Sequence, residues 1–186
     1  MSERMIIEFC APTLAGIKAA NLFSCKYSDR SKLEEEIRTI NRLLVKKGIR
    51  AIPVRYSEER ALIYVYRQVL LEKALCDKMA AKILTKMGYE AENVYSCICH
   101  LRHKLNSFSD VSTFPHEIGL FLGYPPEDVK GFIDHKGECS KCSGCWKVYG
   151  DKDKAVAVFE RYKKCTADYL KRYAHGTRLD KLAVAI

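Results

Sequence analysis

The 186-residue chain has little that breaks or stiffens a fold: ten Gly, five Pro and one Trp, with no low-complexity tract. That scarcity excludes a collagen-like chain, a disordered chain and a repeat array. No uninterrupted apolar run approaches the ~20 residues that a membrane-spanning helix needs, so no membrane partner is expected. The start, MSERMIIEFCAP, carries Glu3, Arg4 and Glu8 where a secretory signal would have its apolar centre, which predicts a cytoplasmic protein. No glycine-rich phosphate loop follows any predicted strand, so dinucleotide and P-loop folds have no support.

What is present is ordinary globular material, 48% apolar and 30% charged, enough for one sizeable core. The length predicts a single domain over residues 1–176, with residues 177–186 as a C-terminal tail, either loose or packed through Leu182 and Val184. Nine cysteines are an odd number for a disulfide framework, so thiols, metal ligands or small buried hydrophobes are expected instead. The net charge is +9, divided as +4 over residues 1–50, +1 over 51–100, 0 over 101–150 and +4 over 151–186. An excess of that size attracts polyanions such as RNA or keeps a chain soluble.

Along the chain, the apolar run Met5 to Cys10 predicts a first strand with Cys10 at its end, followed by a loop at Pro12 and Gly16 and a short helix. Ser31-Lys32-Leu33-Glu34 has the capping-box pattern, and Leu33, Ile37, Ile40 and Leu44 recur at helical spacing until Gly48. A hairpin over 52–56 and 61–66 follows, with Pro53 marking an edge or bulge. Helices are predicted over 67–87 and 92–107, the second burying Val94, Ile98, Leu101 and Leu105 on one stripe. In STFPHEIGLFLGYPPEDVKGFI, Ser112 or Thr113 caps a first short helix and Pro126-Glu127-Asp128 starts a second, although EIGLFLG also reads as a buried strand. Cys145 to Tyr149 is a strand candidate, and Asp151 caps a last helix with Ala155, Val158, Phe159, Tyr162, Thr166, Tyr169 and Tyr173 on its inner face. Three or four short strands packed with five or more helices, without βαβ alternation, make the fold class α+β.

CAPTLAGIKAANLFS, HEIGLFLGYPPEDVKGFI and GCWKVYG, the last followed by an alanine-rich helix, carry a resemblance over about Cys10 to Tyr173. The chain resembles the bacterial family called domain of unknown function 3793, common in clostridia and related anaerobes. The resemblance implies a cytoplasmic protein of an anaerobe and no particular activity. In that pattern the residue before Trp146 is aromatic, whereas this chain has Cys145.

Two constellations carry chemistry. The first is a ligand site: Cys10, Lys18 and Asn21 from the first loop, His116 and Glu117 from the middle motif, and Tyr124, Trp146 and Lys147 as aromatic walls and a charge, together able to hold a small anionic or planar ligand. Tyr149 joins the same motif, and a Cys10/His116 pair would be the nucleophile and base of a cysteine mechanism. Against this stands a reading in which Cys10 is a buried thiol, Glu117 serves a helix dipole and Trp146 packs. The second constellation is Cys139-x2-Cys142-x2-Cys145, completed by Cys99 and His103 one helical turn apart, a donor set for zinc or an iron–sulfur cluster. The alternative is a loop of free thiols. A third reading takes the Tyr162, Tyr169 and Tyr173 stripe with its neighbouring cations as an RNA- or protein-binding face, against a core helix with a solvated basic side. The sequence therefore predicts a small-ligand or cofactor binder first and a metal protein second. It names no substrate, reaction or oligomeric state.

Overall fold

The computed structural model describes residues 1–91, 93–108 and 113–186. They form two compact units, Met1–Leu70 with Tyr162–Ile186, and Leu71–Arg161. The fold class is α+β: among the described residues there are nine α-helices, a three-stranded antiparallel sheet and a two-stranded one.

In the first unit the chain opens with a helix where a strand was expected. α1 spans Glu3–Leu14, with the Ser2 side chain accepting from the Met5 N–H. Ile6, Ile7, Cys10, Ala11 and Leu14 are buried at three- and four-residue spacing, a helical stripe that Glu8 and Phe9 disguise as a broken apolar run. Pro12 sits in the last turn, and its carbonyl accepts from the N–H groups of Ile17 and Lys18. The segment expected to become a short helix is strand β1, Ala20–Lys26. α2, Arg30–Leu44, buries Leu33, Ile37, Ile40 and Leu44 as predicted, but its cap is Asp29. The Asp29 carboxylate accepts from the N–H of Ser31 at 2.7 Å and of Lys32 at 3.2 Å, placing a negative charge on the positive end of the helix.

Gly48, at φ 73°, turns the chain into β2, Ile49–Tyr56, a left-handed conformation that a side chain resists. β3, Arg60–Arg67, returns between β1 and β2, giving the order β1-β3-β2 with a bulge between Pro53 and Arg55. A proline lacks the N–H a central strand needs, so it is tolerated on this edge strand. The free edge of β2 is covered by the Asn41 side chain, whose amide donates to the Ala51 carbonyl and accepts from its N–H, both at 2.8 Å. Phe23, Cys25, Ile49, Ala51, Ala61, Ile63 and Val65 pack with α1 and α2 in one apolar core.

That core also takes in residues near the C-terminus: Leu179 and Leu182 of α9, Leu179–Leu182, and Ala183 are buried in it. Arg67 ties the segment down. Its fully buried guanidinium donates to the carbonyls of Thr13, Leu14, Lys47 and Val184, at 2.5, 2.5, 2.9 and 2.6 Å.

In the second unit the long helix expected over 67–87 is two helices, α3 at Gln68–Leu75 and α4 at Lys78–Lys86. Asp77 splits them by capping α4, accepting from the N–H groups of Met79 and Ala80. α5, Val94–Ser107, is capped by Asn93 and buries Cys97, Ile98, Leu101 and Leu105. Ser112, one of the two expected caps, lies outside the described residues. EIGLFLG is helical: α6 spans Ile118–Phe121, and Gly123 at φ 73° turns the chain toward α7, Pro126–Asp134. The strand expected at Cys145 to Tyr149 is the second half of a hairpin, β4 at Cys142–Ser143 and β5 at Lys147–Val148. α8, Lys152–Ala174, runs on into the first unit, where Tyr162 and Tyr169 are buried and Tyr173 is half-buried against the core.

Candidate functional site

The site is built where α6, α7 and the hairpin meet within the second unit. Two glycines permit the approach. A Cβ on Gly119 would lie 2.7 Å from Val129, and one on Gly131 would lie 2.4 Å from the Tyr149 ring, so neither position admits a side chain without a shift. Pro126 at the first helical position fixes the start of α7 and puts Asp128 in its first turn.

Asp128 is 3% exposed and does more than serve the helix dipole. One carboxylate oxygen accepts from the Trp146 Nε1–H at 2.7 Å, the other from the backbone N–H groups of Tyr149 and Gly150, each at 2.7 Å. Three donors therefore satisfy one buried carboxylate, and the bond to the indole fixes the Trp146 rotamer. Trp146 stacks on Tyr124 with centroids 4.8 Å apart and meets Phe159 edge-on at 4.5 Å. His116 stands between Phe114 and Phe132, at centroid distances of 5.4 and 4.9 Å. The Lys147 ammonium donates to the Gly137 carbonyl at 2.7 Å, which leaves two of its three N–H donors for another acceptor. Tyr149 donates its hydroxyl to the Glu138 carbonyl at 2.9 Å, and burial raises its pKa, with Cys139 and Glu138 adding to the rise.

These side chains enclose a cavity of about 200 Å³ lined by Phe114, His116, Tyr124, Phe132, Trp146 and Lys147, with Ile118, Gly119, Asp128 and Val129 completing its floor. Four of the sequence-predicted ligand residues, His116, Tyr124, Trp146 and Lys147, thus share one hollow. Glu117 belongs to the same unit but points elsewhere. It is 3% exposed, accepts from the Tyr89 hydroxyl at 2.9 Å and pairs with the Lys104 ammonium at 2.7 Å. Burial, then the Glu117 charge, drives the Tyr89 phenol far above its ordinary pKa, so Tyr89 stays a donor.

Cys10, Lys18 and Asn21 lie in the first unit. Cys10 has no solvent exposure, and burial pushes its thiol far above the usual cysteine range, opposed only in part by Lys18. A group in that state is a poor nucleophile. Asn21 accepts from the Thr13 hydroxyl at 2.7 Å, and Lys18 lies over the Tyr162 ring at 5.7 Å. The Asn21 bond ties the start of β1 back to the end of α1.

The cysteine hairpin has hydrogen-bonded tethers of its own. Among the described residues no group of three or more His, Cys, Asp or Glu side chains is placed to hold a metal ion. Cys139, Cys142, Cys145 and Cys99 are all free thiols, His103 is exposed on α5, and the Asp128 bonds with the Lys141 bond to the Gly150 carbonyl supply the hairpin's tethers. Reading the sequence alone missed Phe114, Phe132 and above all Asp128. The available signal was the lone tryptophan, whose indole N–H needs an acceptor when it is enclosed.

Fold and site together define an α+β protein with a small, mostly aromatic cavity edged by one ammonium and one imidazole. The chain belongs to the family described as Protein of unknown function (DUF3793), whose model matches residues 6–183. No curated protein and no solved structure matches it.

Proposed function

We propose that the second unit binds a small planar ligand with an anionic edge, such as an aromatic or heteroaromatic carboxylate. The observation that carries this reading is the convergence of His116, Tyr124, Phe132, Trp146 and Lys147 on one cavity of about 200 Å³. An apolar cavity of ~150 Å³ accommodates benzene, so the space suits one ring or a compact fused pair. Trp146 and Phe132 offer faces and edges for an aromatic ring. Lys147, itself exposed, offers two free N–H donors to a carboxylate at the rim. Asp128 is a positioning residue, since three N–H groups already occupy its two oxygens.

Trp146 is the chain's sole tryptophan, so its fluorescence reports the site alone. Titration with benzoate, 2-naphthoate and the neutral benzamide is expected to quench it saturably, the carboxylates at lower concentration than the amide. Lys147→Met is expected to erase the preference for the anion while leaving the amide response in place. Linear, unsaturated quenching by all three compounds sinks the reading.

A further inference from the structure

Next to the aromatic cavity, and within the same unit, lies an open cleft of about 430 Å³. Phe114 and His116 line both hollows, and the cleft adds the apolar side chains of Met87, Pro115 and Ile133. Its polar groups include Lys104 and Glu117, an ion pair. A few fixed polar groups among apolar walls, at this volume, are what small-molecule sites are made of.

The ion pair is only partly used by the protein itself. Glu117 accepts from the Tyr89 hydroxyl at 2.9 Å and from the Lys104 ammonium at 2.7 Å, and both bonds fall on its Oε1. Oε2 has no partner among the described residues, although the side chain is only 5% exposed. No fully buried side-chain oxygen among those residues goes without a partner, so the small surface that Glu117 keeps includes Oε2, and it opens on the cleft that Glu117 lines. A carboxylate oxygen enclosed in this way and left unpaired is satisfied by an N–H or O–H brought to it. The Lys104 ammonium, 4.6 Å from the centre of the Tyr89 ring, donates to the Met87 carbonyl at 3.0 Å and to Glu117. One of its three N–H donors is left. An acceptor and a donor therefore stand side by side in the cleft.

That pair selects its ligand by charge and by pattern. A cationic amine would meet the Lys104 ammonium and an anion would meet the Glu117 carboxylate, so the group that fits is neutral. It donates to Oε2 and accepts from Lys104 through adjacent atoms, which is the pattern of an amide. An open-chain secondary amide is trans and holds its N–H and C=O on opposite sides, whereas a ring fixes them on one side. We infer that the cleft binds the amide edge of a flat heterocycle, such as a lactam or pyrimidinone ring, with its N–H on Glu117 and its C=O on Lys104.

This inference is independent of the ligand proposed for the aromatic cavity, and Met87, which lines the cleft and not that cavity, reports on it separately from Trp146. The full chain labelled with 13C-methyl methionine has four methyl groups, and the resonance missing from Met87→Leu is the reporter. Titration with 2-quinolone is expected to move it along a saturating curve, with an affinity at least about tenfold higher than that of 1-methyl-2-quinolone, which has no N–H to offer. Glu117→Gln keeps an Oε1 for Tyr89 and Lys104 but puts an NH2 in place of Oε2. In that variant 2-quinolone is expected to weaken at least about tenfold and the preference to vanish or invert, because the carbonyl of the methylated compound accepts from the new NH2. A steric penalty on the methyl group would persist in the variant, which separates the two causes. Equal affinities in the parent, a comparison that needs no variant to fold, would overturn the inference. So would a preference that survives in Glu117→Gln, or a Met87 resonance that stays fixed while the Trp146 emission changes.

Discussion

Replacing Asp128 separates the two jobs its carboxylate does. In Asp128→Asn the side-chain oxygen still accepts from the Tyr149 and Gly150 N–H groups, but the new NH2 faces the Trp146 Nε1–H, donor against donor. One charge-assisted bond is lost and the indole is left without an acceptor, a cost of about 1.5–3 kcal/mol. In Asp128→Ala all three donors lose the buried partner they share, and the cost rises to about 3–5 kcal/mol. Urea unfolding followed through the unique Trp146 measures both the midpoint and the environment of the ring. The expected result is a graded fall in midpoint, alanine below asparagine below the parent, with a red-shifted native emission already present in Asp128→Asn because the ring is no longer pinned against Tyr124. If Asp128→Asn unfolds within about 0.5 kcal/mol of the parent and keeps its emission maximum, the carboxylate does not organise the site and the reasoning fails.

Further outcomes follow from the same geometry. Arg67→Met strands the carbonyls of Thr13, Leu14, Lys47 and Val184 without their donor, and is expected to cost about 3–5 kcal/mol in chemical denaturation and to release the C-terminal residues to a carboxypeptidase. Stability is expected to fall with rising pH above about 9, because the unfolded chain then loses protons that the folded chain keeps on Cys10, Tyr64 and Tyr89, whose pKa values burial raises. Each such group contributes a slope of up to about 1.4 kcal/mol per pH unit between its unfolded and folded values, and a flat profile from pH 8 to 10.5 contradicts the burial. Brief alkylation of the native protein is expected to label Cys76, Cys99, Cys139 and Cys145 while sparing Cys10, Cys25 and Cys97, as peptide mass spectrometry would show. Dialysis against EDTA is expected to leave the Trp146 emission unchanged, since the hairpin is tethered by Asp128 and Lys141.

The stripe of α2, the β2–β3 hairpin and the Pro-led start of α7 were legible because each rests on local periodicity or turn chemistry. α1 was not. Met5 to Cys10 is a short apolar run broken by Glu8, and only the recurrence of Ile6-Ile7, Cys10-Ala11 and Leu14 at three- and four-residue spacing marks it as a helix. The break between α3 and α4 was hidden because the surrounding residues favour helix while Asp77 alone redirects the backbone. At the site, aromatic residues and a lysine in nearby motifs signalled a pocket, and His116, Tyr124, Trp146 and Lys147 do share one. Cys10 and Glu117 attracted attention for their chemistry, yet Cys10 is closed in the core and Glu117 is spent on Tyr89 and Lys104. Partnership of that kind depends on residues distant in sequence, which spacing does not encode.

Incorporation of 5-fluorotryptophan places a single fluorine nucleus on the one indole in the chain. Adding 2-naphthoate should move that lone resonance along a saturating curve, and Phe132→Ala should abolish the movement without unfolding the protein. A resonance that stays fixed through the titration would mean that nothing planar enters between His116 and Trp146.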